Sequence, residues 1–207
     1  MQANDGAKQW YDEGMSEKTK NPLRVYAFID SQNLNLSVQK LGWKIDWRKF
    51  RQFLADKYGV TKAYMFIGYI PEFEPLYEQM HDLGYAIVLK PTFDLTKPRP
   101  EESTDKSKPD EEKKPVKGNI DAELVLWAMK ELSNYDKAII VSGDGDFYSL
   151  VEYLEEKKRL LHVLAPTGHY SNLYNRFESY IVRIDQHKRE LAYHDFRKRN
   201  HARQNTK

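Results

Sequence analysis

Short apolar runs alternate along the middle of the chain with longer stretches whose apolar residues recur at helical spacing. RVYAFID (24–30), TKAYMFIGYI (61–70), YAIVLKPT (85–92), KAIIVSG (137–143), LLHVLAP (160–166) and IVRID (181–185) read as strands. Between them, QNLNLSVQKLG (32–42), DWRKFRQFLADKYG (46–59), PEFEPLYEQMHDLG (71–84), NIDAELVLWAMKEL (119–132), DFYSLVEYLEEKK (146–158) and HYSNLYNRFESY (169–180) read as helices. Asp46 is placed as an N-cap, and Gly42, Gly59 and Gly84 as stops. Strands that alternate with helices imply right-handed crossovers, hence a mostly parallel sheet covered on both faces. The predicted fold class is therefore α/β, a three-layer α/β/α sandwich.

Three segments lie outside the alternation. Residues 1–22 are polar and expected to be flexible. Residues 93–118 carry four prolines and dense mixed charge with little to bury, the pattern of a long mobile loop. Residues 186–207 hold seven Lys/Arg against two Asp/Glu and form the one clearly basic region. That leaves one domain over 23–185, which fits a chain of 207 residues. Two readings suit the basic end. It either docks Leu191 and Phe196 on the body as an amphipathic helix, or adds phosphate contacts to a polyanion, and the second is favoured.

Composition narrows the chemistry. With 33 Lys+Arg against 31 Asp+Glu, net charge is only +2 and its distribution matters more than its sum. The absence of cysteine excludes disulfides and thiolate metal sites, so any metal takes oxygen or histidine ligands. No run approaches the ~18 apolar residues of a membrane span, and the first 22 residues contain no apolar secretion core. A soluble, cytoplasmic protein with no membrane partner is expected.

Ligands of open parallel sheets bind beyond the carboxyl ends of the strands. There the sequence places Asp30, followed by Ser31, Gln32 and Asn33; then Ser142, Asp144 and Asp146; and Asp121 at the start of a helix. Singly, each acid is ordinary cap or turn chemistry, and the two glycines of GDGD suit a tight turn. Together they would repel one another unless a cation compensates, and a hard cation such as Mg2+ or Mn2+ does so with one or two direct carboxylates. Phosphodiester hydrolysis assisted by such an ion is the chemistry that follows. Asn33 and Ser142 would support the site, Lys117 would meet a phosphate as a point charge, and Tyr148 is the best-placed aromatic for stacking on a base. Most other aromatics, among them Tyr64, Phe66 and Tyr77, are expected in the core, and His162 is expected to satisfy a local hydrogen bond.

FIDSQNLN with Asp30 and Asn33, KGNIDAELVL with Lys117 and Asp121, and VSGDGDFYSLVEYL with Asp144 and Asp146 resemble the three motifs of the NYN domain. The resemblance is to its LabA/DUF88-like branch, within the PIN-like nuclease superfamily, over residues 24–185. It implies a Rossmann-like (PIN-like) sheet, a Mg2+ or Mn2+ site at Asp30, Asp121, Asp144 and Asp146, and ribonuclease activity on RNA, single-stranded being the expected form. A homodimer is left open. The chain departs from the family at Trp127, near which many members carry a further acid, so a catalytically weak RNA-binding or protein-interaction scaffold stands as the alternative. An aspartyl-phosphate phosphatase is disfavoured because Gln32 stands where its second aspartate would be, and a dinucleotide-binding protein because no G-x-G-x-x-G follows the first strand.

Overall fold

The computed structural model describes residues 22–91 and 120–194. The expectations for residues 1–21, the 93–118 loop, Lys117 and residues 195–207 fall outside the described residues. The chain runs β1 (Val25–Asp30), α1 (Ser31–Lys40), α2 (Trp47–Tyr58), β2 (Val60–Tyr69), α3 (Glu74–Asp82) and β3 (Tyr85–Pro91). It continues with α4 (Asp121–Lys130), β4 (Lys137–Val141), α5 (Tyr148–Glu156), β5 (Leu160–Ala165), β6 (Ile181–Arg183) and a final turn of helix, α6 (Lys188–Leu191).

Local chemistry sets many of these boundaries. The Asp46 carboxylate accepts the main-chain N–H groups of Arg48 and Lys49 at 3.1 and 3.2 Å, which satisfies two orphan donors at the start of α2. At its other end Gly59 adopts φ 65°, the left-handed conformation that closes a helix cheaply only without a Cβ. Pro75 lacks an N–H and belongs in a first helical turn, so α3 starts at Glu74 and the expected single helix over 71–84 opens instead as a separate 3-10 turn at Pro71–Phe73.

The six strands are all parallel and lie in the order β3-β2-β1-β4-β5-β6. Side chains alternate across the sheet, and two apolar clusters result. Ala27, Ile29, Met65, Ile139 and Val141 face Leu34 and Val38 of α1, Phe50 and Leu54 of α2, and Met80 of α3. Phe28, Tyr64, Phe66, Ala138 and Ile140 face Leu124 and Ala128 of α4 and Leu150, Val151 and Leu154 of α5. Burial on both faces explains why the strands read as continuous apolar runs. It also makes the predicted three-layer α/β/α sandwich the observed architecture.

The strand order locates the site. From β1 the chain steps outward to β3, then α4 carries it back to β4, on the far side of β1. Crossovers of one hand therefore put α1 to α3 on one face and α4 and α5 on the other. Between β1 and β4 the succession reverses, and at their carboxyl ends the loops diverge into a crevice. Ile29 pairs with Val141, so the next residues, Asp30 and Ser142, emerge side by side.

Two further regions bear on the expectations. Residues 172–180 form 3-10 turns rather than an α-helix, with Phe177 off helical geometry at φ −105°, ψ 20°. Tyr174 and Phe177 are both buried, and a spacing of three residues aligns side chains even better in a 3-10 turn than in an α-helix. Of the segment expected as a basic tail, residues 186–194 pack on the body. Leu191 is buried, Ala192 bridges to Ile45, and the Asp46 and Tyr193 N–H groups donate to Leu191 and Lys44 carbonyls at 2.8 Å.

Candidate active site

Asp30 ends β1 and caps α1, its Oδ1 accepting the Asn33 N–H at 3.0 Å. The Ser142 hydroxyl, wholly buried, donates to Asp30 Oδ2 at 3.2 Å and accepts the Asp144 N–H at 3.1 Å. Asp144 Oδ1 in turn accepts the Asp146 N–H at 3.1 Å, which makes the GDGD segment an Asx turn leading through a 3-10 turn into α5. The Asn33 side-chain oxygen accepts the Gly143 N–H at 3.0 Å. Asn33 thus ties the start of α1 to the end of β4. A continuous set of hydrogen bonds links both motifs across the switch point.

Asp30 is the unusual group. Its residue is only 5 % exposed, and burial pushes its carboxyl pKa above the ordinary value. The negative charges of Asp121 and Asp144 push in the same direction, while the Asn33 N–H and Ser142 hydroxyl offset part of the rise. Asp146 is exposed, at the outer lip of the turn. Asp121 and Asp144 therefore lie near enough to Asp30 for their charges to act on it, and Asp146 follows Asp144 in the same turn. Among the described residues, however, no three His, Asp or Glu side chains stand close enough together to hold one ion. An oxygen-only donor set around a buried, like-charge-crowded carboxyl suits a hard cation that takes one or two carboxylates and keeps its waters, and does not suit a closed cage.

The glycines of GDGD have a different reason from the one expected. Neither Gly143 nor Gly145 has a positive φ, so backbone freedom is not what the turn requires. A Cβ on Gly145 would stand 2.5 Å from Ser171 Oγ and 3.0 Å from Ser171 Cβ, and one on Gly143 would stand 3.3 Å from Tyr170 Cβ. The segment after β5 lies directly on the turn, held by the Ser171 N–H donating to the Gly143 carbonyl at 3.0 Å. From the same segment the buried Tyr174 hydroxyl donates to the Asp144 carbonyl. Sequence reasoning did not find Tyr174 or Ser171. They follow Asp144 by about thirty residues, and only the return of the chain after β5 brings them to it.

The remaining candidates are placed as follows. Tyr148 is half-buried, with its ring centroid 5.8 Å from that of Phe177, its hydroxyl donating to Glu152 at 2.9 Å and accepting from Arg176 at 3.1 Å. Trp127 packs against Tyr64, ring centroids 5.3 Å apart, with the Lys130 ammonium over its ring. Glu123, the nearest acid to Asp121 on α4, pairs with Lys90 at 3.4 Å. No helix among the described residues is long and apolar enough to cross a membrane.

Comparison with known proteins agrees with this fold. Over 151 residues the chain is 27% identical to the low amplitude and bright protein LabA of Synechococcus elongatus, covering 71% of this chain and 76% of that protein. In fold it resembles a crystal structure of a Vibrio parahaemolyticus protein of unknown function, with a TM-score of 0.61 and 21% identity over 83% of this chain and 96% of that one. The NYN domain matches residues 24–185, from the start of β1 to just past β6 and thus across every motif of the crevice. The chain belongs to the NYN domain family, in its LabA-like branch of the PIN-like nuclease superfamily.

Proposed function

We propose that the chain is a divalent-metal-dependent ribonuclease that hydrolyses RNA phosphodiester bonds in the crevice between β1 and β4. The observation that carries this reading is Asp30, a buried carboxyl at the switch point whose pKa is raised by burial and by the neighbouring charges of Asp121 and Asp144. Such crowding is unfavourable without a compensating cation, and membership of a nuclease superfamily supplies the reaction class. Asp30, Asp121, Asp144 and Asp146 would hold Mg2+ or Mn2+. When bound, the ion supplies the charge that makes a water nucleophilic near neutral pH and offsets the charge growing on the leaving oxygen.

The chain's own residues prepare that chemistry. Ser142 and Asn33 fix the Asp30 carboxyl and the start of the GDGD turn against each other, so the acids need little reorganisation when substrate arrives. Tyr148 would offer its ring to the nucleotides flanking the cut, and Lys117, four residues before Asp121 in sequence, would supply a point charge for a phosphate. Single-stranded RNA in the cytoplasm is the substrate in this reading, since an unpaired strand can enter a narrow crevice and stack its bases.

The test is cleavage of a labelled single-stranded RNA with Mn2+, with Mg2+ and with EDTA, comparing the native chain with Asp144→Asn. Cleavage that needs the metal and falls at least about tenfold in the variant is expected. A second reading, RNA binding without cleavage, is favoured by the absence of three converging ligands among the described residues. RNA that is bound but not cut by the native chain, or cut equally by the variant, would put that reading first.

A further inference from the structure

We propose that Tyr174 is a positioning residue for the acidic crevice, its hydroxyl clamping the Asp144 carbonyl so that the GDGD turn presents its carboxylates to Asp30. The inference rests on the reading of the crevice as a metal site, and adds to it a residue that lies in none of the acidic motifs. Tyr174 belongs to the 3-10 segment Asn172–Tyr180, is wholly buried, and donates to the main chain of the very residue whose side chain caps the turn.

The clamp has three points. Ser171 donates its N–H to the Gly143 carbonyl at 3.0 Å, on one side of Asp144. Gly145, on the other side, has only van der Waals room against Ser171 and Leu173. Between them the Tyr174 hydroxyl takes the Asp144 carbonyl. Without it the turn would still be bonded at Asp30, Asn33, Ser142 and Ser171 and would still run into α5 through the buried Phe147, but the Asp144 carbonyl would lose the hydrogen bond that fixes its peptide between those points. Groups that orient ligands from behind in this way typically change metal affinity about 10–100-fold when removed.

Tyr174→Phe keeps the ring and deletes the hydroxyl. Tyr135→Phe is a matched control, because Tyr135 is equally buried and its hydroxyl donates to the Ala128 carbonyl at 2.9 Å, near the start of β4 and away from the crevice. Two readouts are taken on the full chain: Mn2+ affinity by water proton relaxation, and amide hydrogen exchange of residues 143–147 without metal. Tyr174→Phe should bind Mn2+ about tenfold more weakly and exchange faster at the turn, while Tyr135→Phe should match the native chain in both. Native affinity and native exchange in Tyr174→Phe, or equal changes in Tyr135→Phe, would overturn the proposal. If the native chain binds no Mn2+, the metal reading fails, and exchange at the turn then decides the clamp: faster exchange in Tyr174→Phe alone upholds it, unchanged exchange refutes it.

Discussion

Gly145→Ala is the sharpest test of why the GDGD turn contains glycine. The added Cβ would stand 2.5 Å from Ser171 Oγ, 3.0 Å from Ser171 Cβ and 3.1 Å from Leu173 Cδ1, where carbon atoms prefer about 3.5–4.0 Å. Leu173 is 55% exposed, so its methyl can swing away. Ser171 cannot escape as easily. Its N–H is bonded to Gly143, and its hydroxyl accepts the Leu173 N–H at the start of the 3-10 segment. Rotating the hydroxyl forfeits that cap, and moving the Cβ moves the main chain. Overpacking of this kind costs about 1–3 kcal/mol. The φ of Gly145 is not positive, so alanine also removes unfolded-state freedom, a gain of about 0.4–1 kcal/mol. A net loss of about 1–2 kcal/mol is expected, which for a chain of this size lowers Tm by roughly 2–8 °C. Thermal and urea unfolding followed by circular dichroism measure it. In a Ser171→Gly background the loss should shrink by at least about 0.5 kcal/mol, because the two sites touch. An alanine variant as stable as the native chain, or one equally destabilised in both backgrounds, would refute the close-approach argument.

Two further predictions concern charge. The Asp30 pKa is raised in the folded chain above the ordinary 3.8, so the folded state holds this proton more tightly than the unfolded state. Its unfavourable contribution is therefore absent below about pH 4 and grows as pH rises through the folded value. Asp30→Asn should be more stable than the native chain in urea at pH 7 with EDTA present, with the advantage gone at low pH; a variant less stable at pH 7 would contradict the argument. Asp136, at the opposite end of the sheet, behaves in the other sense. Arg24 grips it through Nε at 3.2 Å, Nη2 at 3.0 Å and its main-chain N–H at 2.9 Å, and holds its pKa down at about 2. Carbon-detected NMR should find that midpoint in the native chain and a return toward 3.8 in Arg24→Ala, with the associated stability present above pH 3.8 and lost as pH falls toward 2; a native midpoint near 3.8 would count against the contact.

What the chain's own pattern determined was local. Apolar periodicity separates strand from helix wherever both faces of the sheet are covered, and Asp46, Gly59 and Gly84 mark ends because a cap or a left-handed residue acts within its own turn. The acids at strand ends were legible for the same reason: a strand followed by a helix puts its last residues at one edge of any parallel sheet. Other features arise between segments far apart in sequence. The adjacency of β1 and β4, which sets Ser142 against Asp30, depends on the whole strand order, and no window of sequence contains it. The 3-10 form of residues 172–180 was hidden because a three-residue spacing of buried aromatics fits both helical types. The glycines of GDGD were read as turn formers, whereas they are there for the approach of Ser171 and Tyr170; the anchoring of Asp144 by Tyr174 left no local trace at all. Propensity and periodicity act over a few residues, while close approach and burial are properties of the assembled layers, so the tertiary structure alone decided which side chains surround the crevice and how tightly they are held.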